Sequence, residues 1–297
     1  MATALAPIES PGFRLQQAWN QECLPIPGVY HPLVAKIAEK IGFRAIYLSG
    51  AALSASKNLP DVGIVTLPEF VEAAREICRA TAIPLLCDAD TGFGQNLNVE
   101  RTVQLFEEAG AAGIHLEDQE MPKRCGHLSG KTLVDAATMI SKIRAAVASR
   151  TDKYFTIIAR TDARGVGNFD QAISRAKVYL EAGADAVFPE ALESVEEFEK
   201  FAKEVDAPLL ANMTEFGKSP LIPRETLAQM GYKMVLYPVS AYRAALFATR
   251  MALEQIKKGP TQEPLLDKML SRAELYDLLN YTDYEKRDAT YFGRKLQ

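Results

Sequence analysis

Short apolar runs alternate along the chain with longer segments in which apolar side chains recur every three or four residues. The short runs are Ile26–Tyr30, Ala45–Ser49, Pro84–Asp88, Gly113–Glu117, Tyr154–Arg160, Ala186–Pro189, Pro208–Asn212 and Met234–Pro238. Helical spacing marks Leu67–Thr81, Val99–Ala111, Ala136–Ser149, Phe169–Ala182, Ser194–Val205 and Arg224–Met230, with a leader helix predicted around Phe13–Glu22. Strands this uniformly apolar are buried on both faces, and strands separated by helices pair in parallel through crossovers. Eight strand candidates, spaced by roughly 20–40 residues, predict a closed (β/α)8 TIM-type barrel rather than an open doubly wound sheet. No Gly-x-Gly-x-x-Gly follows the first strand, which argues against a dinucleotide site. Glu-Ala-Gly-Ala occurs twice, at 108–111 and 181–184, where helices end before strands. No Pro-, Gly- or Ser-rich linker interrupts the pattern, so residues 1–297 are expected to form one barrel domain. From about residue 262, including Leu265–Leu279, additional C-terminal helices are expected to cover the site or to contact another subunit.

Composition fits this picture. A 297-residue chain with 48% hydrophobic and 24% charged residues buries a sizeable core and is not a disordered, collagen-like or disulfide-stapled protein. The formal net charge of −4 gives no general attraction for nucleic acid or an anionic membrane, which points to a small-molecule partner. Cys23, Cys78, Cys87 and Cys125 lie far apart with no Cys-x-x-Cys pair, as expected in a reducing cytoplasm. Met1–Gly12 holds no basic residue and no apolar core of signal-peptide length. No run approaches the roughly 18 apolar residues of a membrane helix.

The candidate chemistry lies at the strand ends, which a barrel gathers into one mouth. Seven of the eight carry polar groups: Tyr47-Leu48-Ser49-Gly50, Asp88-Ala89-Asp90, His115-Leu116-Glu117-Asp118, Arg160-Thr161-Asp162, Glu190, Asn212-Met213-Thr214 and Tyr237-Pro238-Val239-Ser240. On an extended strand, Asp88 and Asp90 would face one side; with Glu117 from the next strand they suit Mg²⁺ or Mn²⁺. In Lys123-Arg124-Cys125-Gly126-His127, cationic neighbours are expected to lower the thiol pKa and to supply a proton-transfer group. Arg160, ending an apolar strand, requires an anion, internal or from a substrate.

These motifs resemble those of the isocitrate lyase and phosphoenolpyruvate mutase superfamily, whose lyases carry Lys-[Lys/Arg]-Cys-Gly-His. The likeness extends through Ile46–Gly50, Leu59–Ile64, Asp88–Gly94, Glu117–Gln119, Ala159–Ala163, Phe188–Ala191, Asn212–Gly217 and Ser271–Tyr276, and is strongest to the methylisocitrate lyases. Those enzymes cleave 2-methylisocitrate to pyruvate and succinate in propionate catabolism (the methylcitrate cycle) with Mg²⁺. The resemblance implies Asp88 and Asp90 as metal positions, with Asp61 and Glu117 acting through water. It places Ser49, Gly50, Ala51, Gly126, His127, Arg160, Glu190, Asn212, Met213, Thr214, Arg243 and Arg272 on a di- or tricarboxylate substrate. Ala51 departs from the glycine of some members. Phe188, Leu236 and Pro238 would wall a methyl pocket, Cys125 would donate a proton, and Tyr47 would act as base or relay. A homotetramer exchanging its C-terminal helices is also implied. Oxaloacetate hydrolases and dimethylmalate lyases share enough of the pattern to stand as the alternative; phosphonomutases lack the thiol motif.

Overall fold

In the computed structural model, residues 9–293 are described, so most of the leader Met1–Gly12 and the last four residues of the tail lie outside them. Eight strands form a single parallel sheet: β1 (Leu24–Val29), β2 (Ile46–Leu48), β3 (Leu85–Asp88), β4 (Gly113–Glu117), β5 (Thr156–Thr161), β6 (Ala186–Pro189), β7 (Leu210–Asn212) and β8 (Met234–Tyr237). Their order is β6-β5-β4-β3-β2-β1-β8-β7, and a parallel bridge between Val187 and Leu209 joins the two outer strands. The sheet is therefore a closed TIM-type (β/α)8 barrel, as the hydrophobic pattern predicts. The strand starts differ where proline intervenes. Pro84 and Pro208 have no N–H to give a ladder, so β3 and β7 begin just after them. Pro25 and Pro27 interrupt the apolar pattern of β1, yet the strand starts at Leu24, whose N–H donates to Lys233 O at 2.8 Å.

Alternation along the strands divides the core. Ile26, Tyr47, Leu86, Ile158, Phe188, Leu210, Met234 and Leu236 form one buried cluster with Leu15, Ala18 and Trp19. The last three are spaced three and four apart on the helix Pro11–Gln21, whose start is fixed by Pro11 and by Ser10 accepting from Phe13 N at 3.2 Å. This leader helix packs its apolar stripe against the side chains that fill the barrel. Trp19 is 4% exposed and Leu15 fully buried. Side chains on the other strand face, such as Cys87, Ile114 and Ile157, pack on Leu67–Ala80, Asn96–Glu108 and Ala136–Ser149. Cys87 thus behaves as a core residue.

The chain divides into two compact units, one ending at Tyr242 and the other beginning at Arg243. The second unit starts earlier than residue 262. It contains most of the helix Ser240–Lys258, a 3₁₀ turn at Glu263–Lys268, and the helices Arg272–Leu278 and Tyr281–Tyr291. Ser271 caps the third of these, accepting from Glu274 N while Glu274 Oε2 accepts from Ser271 N. Leu246, Phe247, Met251, Leu253 and Ile256 of Ser240–Lys258 are exposed. Among the described residues, no helix is long and apolar enough to cross a membrane.

Candidate active site

The C-terminal strand ends hold buried charge. Asp88, the last residue of β3, is 5% exposed and central. Its Oδ2 accepts from Gly50 N at 3.1 Å and from the Tyr47 hydroxyl at 3.3 Å, and its Oδ1 accepts from Asp90 N at 3.0 Å. A Cβ on Gly50 would stand 2.7 Å from that Oδ2, so only glycine permits this approach. Burial opposes ionisation of Asp88, but the charges of His115, Lys123 and Arg160 and the Asp90 N–H hold its pKa down to about 2. Asp90 is pushed up to about 7, by burial and by Asp88, against the pull of Lys123. β3 does not continue through Asp90: that residue turns with φ +44°, ahead of the Thr91–Gly94 turn. The two carboxylates are therefore brought near each other by a left-handed turn, which aspartate tolerates, rather than by strand alternation.

Lys123 departs from the role expected of it. Its ammonium is 2.7 Å from Asp90 Oδ1 and paired with Asp61 Oδ1, inside the acid cluster. Burial disfavours its charge, yet Glu117, Asp90, Asp88 and Asp61 raise its pKa well above 10.5. His127 is likewise committed: Nδ1 accepts from Lys218 N at 3.0 Å, which leaves Nε2, 2.7 Å from Glu190 Oε1, as the protonated nitrogen. Cys125 itself is partly buried in the loop. The expected lowering of its pKa is thus reversed. Burial pushes the thiol up from 9.0, with Glu190 and Asp61 adding, because the nearby cations serve carboxylates instead.

Arg160 finds internal anions: Asp162 Oδ2 at 2.9 Å from Nε, Glu117 Oε2 at 3.2 Å from Nη1, and Glu190 Oε2 at 3.6 Å. Glu190 is buried, which opposes its charge, but Arg160 and His127 hold it well below the usual carboxylate range. Asn212 Nδ2 donates to both Glu190 oxygens at 3.2–3.3 Å. Gly126 packs so closely here that a Cβ would stand 2.4 Å from Glu190 Cγ.

The remaining predicted residues divide between rim and core. Ser49 caps the helix Gly50–Ser56 by accepting from Ala52 N at 3.3 Å, and Ala51 lies in that helix's first turn. Phe188 and Leu236 share the barrel-filling cluster, and Pro238 follows β8 and is buried. Met213 is buried in an apolar cluster, where its sulfur accepts from Ile222 N at 3.2 Å; Thr214 is half-buried. Tyr47 is buried with its hydroxyl 2.8 Å from His115 Nε2. Burial and Asp88 push its pKa well above 10, so the phenol keeps its proton. Burial lowers His115 to about 4, leaving it neutral. Arg243 lies in Ser240–Lys258 and Arg272 opens Arg272–Leu278; both belong to the second unit.

Three residues whose role is not evident from the sequence support this rim. Gln119 clamps the loop, its Oε1 accepting from Arg124 N at 2.9 Å and its Nε2 donating to Arg124 O at 2.8 Å. Asp118 accepts from the Thr161 hydroxyl, Asp162 N, Arg175 and the Tyr179 hydroxyl at 2.8–3.1 Å. Lys131 is wholly buried against Asp162, at 2.7 Å. The Glu117-Asp118-Gln119 run at a strand end was the one local signal for the first two.

The donor set fits a hard divalent cation. Asp88 and Asp90 would supply oxygen ligands; the buried Glu117 accepts no hydrogen bond of good geometry, although its Oε2 is 3.2 Å from Arg160 Nη1. Burial raises the Glu117 pKa well above 4.5, a cost that added positive charge offsets. Among the described residues, no three His, Cys, Asp or Glu groups form a ready ligand set. Mg²⁺ takes as few as one or two carboxylates and completes its shell with water and substrate oxygens, so the chemistry of Asp88 and Asp90 is compatible with it.

Comparison with known proteins agrees with this geometry. A profile of the phosphoenolpyruvate phosphomutase family matches residues 15–257. The chain is 52% identical to the 2-methylisocitrate lyase of Aeropyrum pernix over 95% of its own length and 92% of the relative's. A crystal structure of 2,3-dimethylmalate lyase superposes with a TM-score of 0.89 at 34% identity, covering 96% of both chains. A phosphonopyruvate hydrolase, solved with oxalate and Mg²⁺, gives 0.87 at 31% identity over 96% of this chain and all of that one. With its charged rim, its thiol loop and these likenesses over almost its full length, the chain belongs to the phosphoenolpyruvate phosphomutase family of enzymes.

Proposed function

We propose that this protein is a carbon–carbon lyase that cleaves 2-methylisocitrate to pyruvate and succinate. The observation that carries the reading is a half-buried thiol on the loop that also places Lys123 among Asp61, Asp88 and Asp90, in a chain 52% identical to a 2-methylisocitrate lyase. Asp88 and Asp90 would hold Mg²⁺ (or Mn²⁺), with Asp61 and Glu117 behind water. When bound, the ion supplies positive charge for a chelating α-hydroxycarboxylate and so acidifies its hydroxyl.

The chain's own residues account for the rest. Breaking the bond between the hydroxyl-bearing carbon and its neighbour leaves an electron pair on the future succinate, delocalised into a carboxylate. Arg160, His127 and Asn212, with Ser49, Gly50, Ala51, Gly126, Met213 and Thr214 around them, bind and neutralise substrate carboxylates. Glu190 holds His127 and Asn212 in place. Cys125 donates the proton that quenches the carbanion. A thiol raised above 9.0 is protonated near neutrality, the state a general acid requires. Tyr47 keeps its proton and so acts as a relay toward neutral His115 rather than as a base. Phe188, Leu236 and Pro238 wall the methyl group, a contact worth about 1–3 kcal/mol. Arg243 and Arg272 are further candidates for the substrate's carboxylates, each tested by its lysine variant.

We assign the second unit, with its exposed Leu246, Phe247, Met251, Leu253 and Ile256, to helix exchange within a homotetramer, measurable by light scattering. Four free cysteines accord with a cytoplasmic location. The testing experiment is a parallel product assay on 2-methylisocitrate, isocitrate, dimethylmalate and oxaloacetate with Mg²⁺. The highest kcat/KM is expected for 2-methylisocitrate, and a preference for dimethylmalate or oxaloacetate would replace this reading with the alternative.

A further inference from the structure

We propose that Lys131 is a positioning residue that latches the thiol loop shut by tying the Gly126 carbonyl to Asp162. The inference deepens the lyase reading and rests on it for the purpose of the loop. Three observations meet at this residue. The Lys131 ammonium is fully buried, donates to Gly126 O, and stands 2.7 Å from Asp162 Oδ1. Asp162 is also the fork partner of Arg160, accepting from Nε at 2.9 Å and Nη2 at 3.1 Å. One carboxylate at the end of β5 therefore fixes both the Arg160 guanidinium and, through Lys131, the peptide that follows Cys125.

The neighbouring contacts show what this latch adds. Gln119 holds the loop on the other side of Cys125 by clamping Arg124, and His127 holds it farther along by reaching Glu190 and Lys218 N. All three anchors are buried, Gln119 and Glu190 being 1% exposed. Lys131 adds a full charge to them: opening the loop strips a buried ammonium of its carbonyl partner. A charge-assisted hydrogen bond of this kind is among the stronger ones. The segment has little slack, because a Cβ on Gly126 or on Gly165 would crowd Glu190 or the Lys131 ammonium. Closure of the loop, placement of the thiol and orientation of Arg160 are thus one linked arrangement.

The test measures access to the thiol rather than turnover. In the full-length protein with Mg²⁺, iodoacetamide labelling of Cys125 is followed by peptide mass spectrometry, with Cys23 and Cys78 as internal controls. In Lys131→Met the Cys125 rate should rise by roughly tenfold or more, the loss expected for one hydrogen bond to a charged group, with the control rates unchanged. Lys131→Gln keeps one amide donor and should fall between native and Met, and it serves as the readout if the Met variant does not fold. In parallel, kcat for the lyase reaction should fall more than KM rises. Unchanged Cys125 labelling in the variants, or an equal rise at all three cysteines, would overturn the latch. Because labelling needs no turnover, failure of the product assay with a positive labelling result would strike the substrate assignment alone.

Discussion

The two ends of the barrel solve opposite problems. At one end Leu15, Ala18 and Trp19 of the leader helix close the interior with apolar side chains, and burying each large one contributes about 1.5–3 kcal/mol. At the other, Asp88, Asp90, Glu117, Asp118, Asp162 and Glu190 are buried beside Lys123, Lys131 and Arg160. Buried ion pairs repay their desolvation poorly, and an apolar replacement is often more stable. Asp90 and Glu117, both pushed toward the neutral form, show that this end is not arranged for stability. Function belongs to the end whose electrostatics cost folding energy.

The sharpest separation of the two ends is removal of metal. Excess chelator should abolish turnover and added Mg²⁺ restore it, while circular dichroism shows the barrel unchanged; full activity in chelator would refute the metal assignment. Next, Glu117→Gln should lower kcat by about 10²-fold or more. A kcat within a fewfold of native would take Glu117 out of the metal's surroundings and leave it only as the buried partner of Arg160, at 3.2 Å. The converse variant is Trp19→Ala, expected to cost about 3–5 kcal/mol of stability in denaturant titration with kcat/KM nearly unchanged. The smallest effect is at the methyl wall. Phe188→Ala should reduce the preference for 2-methylisocitrate over isocitrate by about 1–3 kcal/mol in the ratio of kcat/KM values; an unchanged ratio would move the methyl group elsewhere.

The apolar end was legible because it depends on local periodicity. Leu15, Ala18 and Trp19 fall on one helical stripe, and β4 and β6 have the bounds that their apolar runs predict. The rim was legible as a set of residue types but not as a set of partners. Lys123 meets Asp61, 62 positions away, and Lys131 meets Asp162, 31 away. No local pattern encodes such pairs, so cations read as neighbours of Cys125 belong instead to carboxylates. Asp90 misled for a different reason: spacing two apart reads as strand, whereas the Thr91-Gly92-Phe93-Gly94 turn already begins at its left-handed backbone. Gly63 and Gly92 adopt positive φ beside the same acids, but so do Gly42, Gly110, Gly183 and Gly231 where helices end, so glycine alone does not separate rim turns from helix caps.

The most direct test of the account is Cys125→Ser, assayed for turnover of 2-methylisocitrate and, by calorimetry, for binding of succinate with pyruvate and Mg²⁺. Turnover should fall by about 10²–10⁴-fold, the range contributed by one positioned proton donor, while binding is retained. Turnover within a fewfold of the native rate would contradict the assignment of this thiol as the acid.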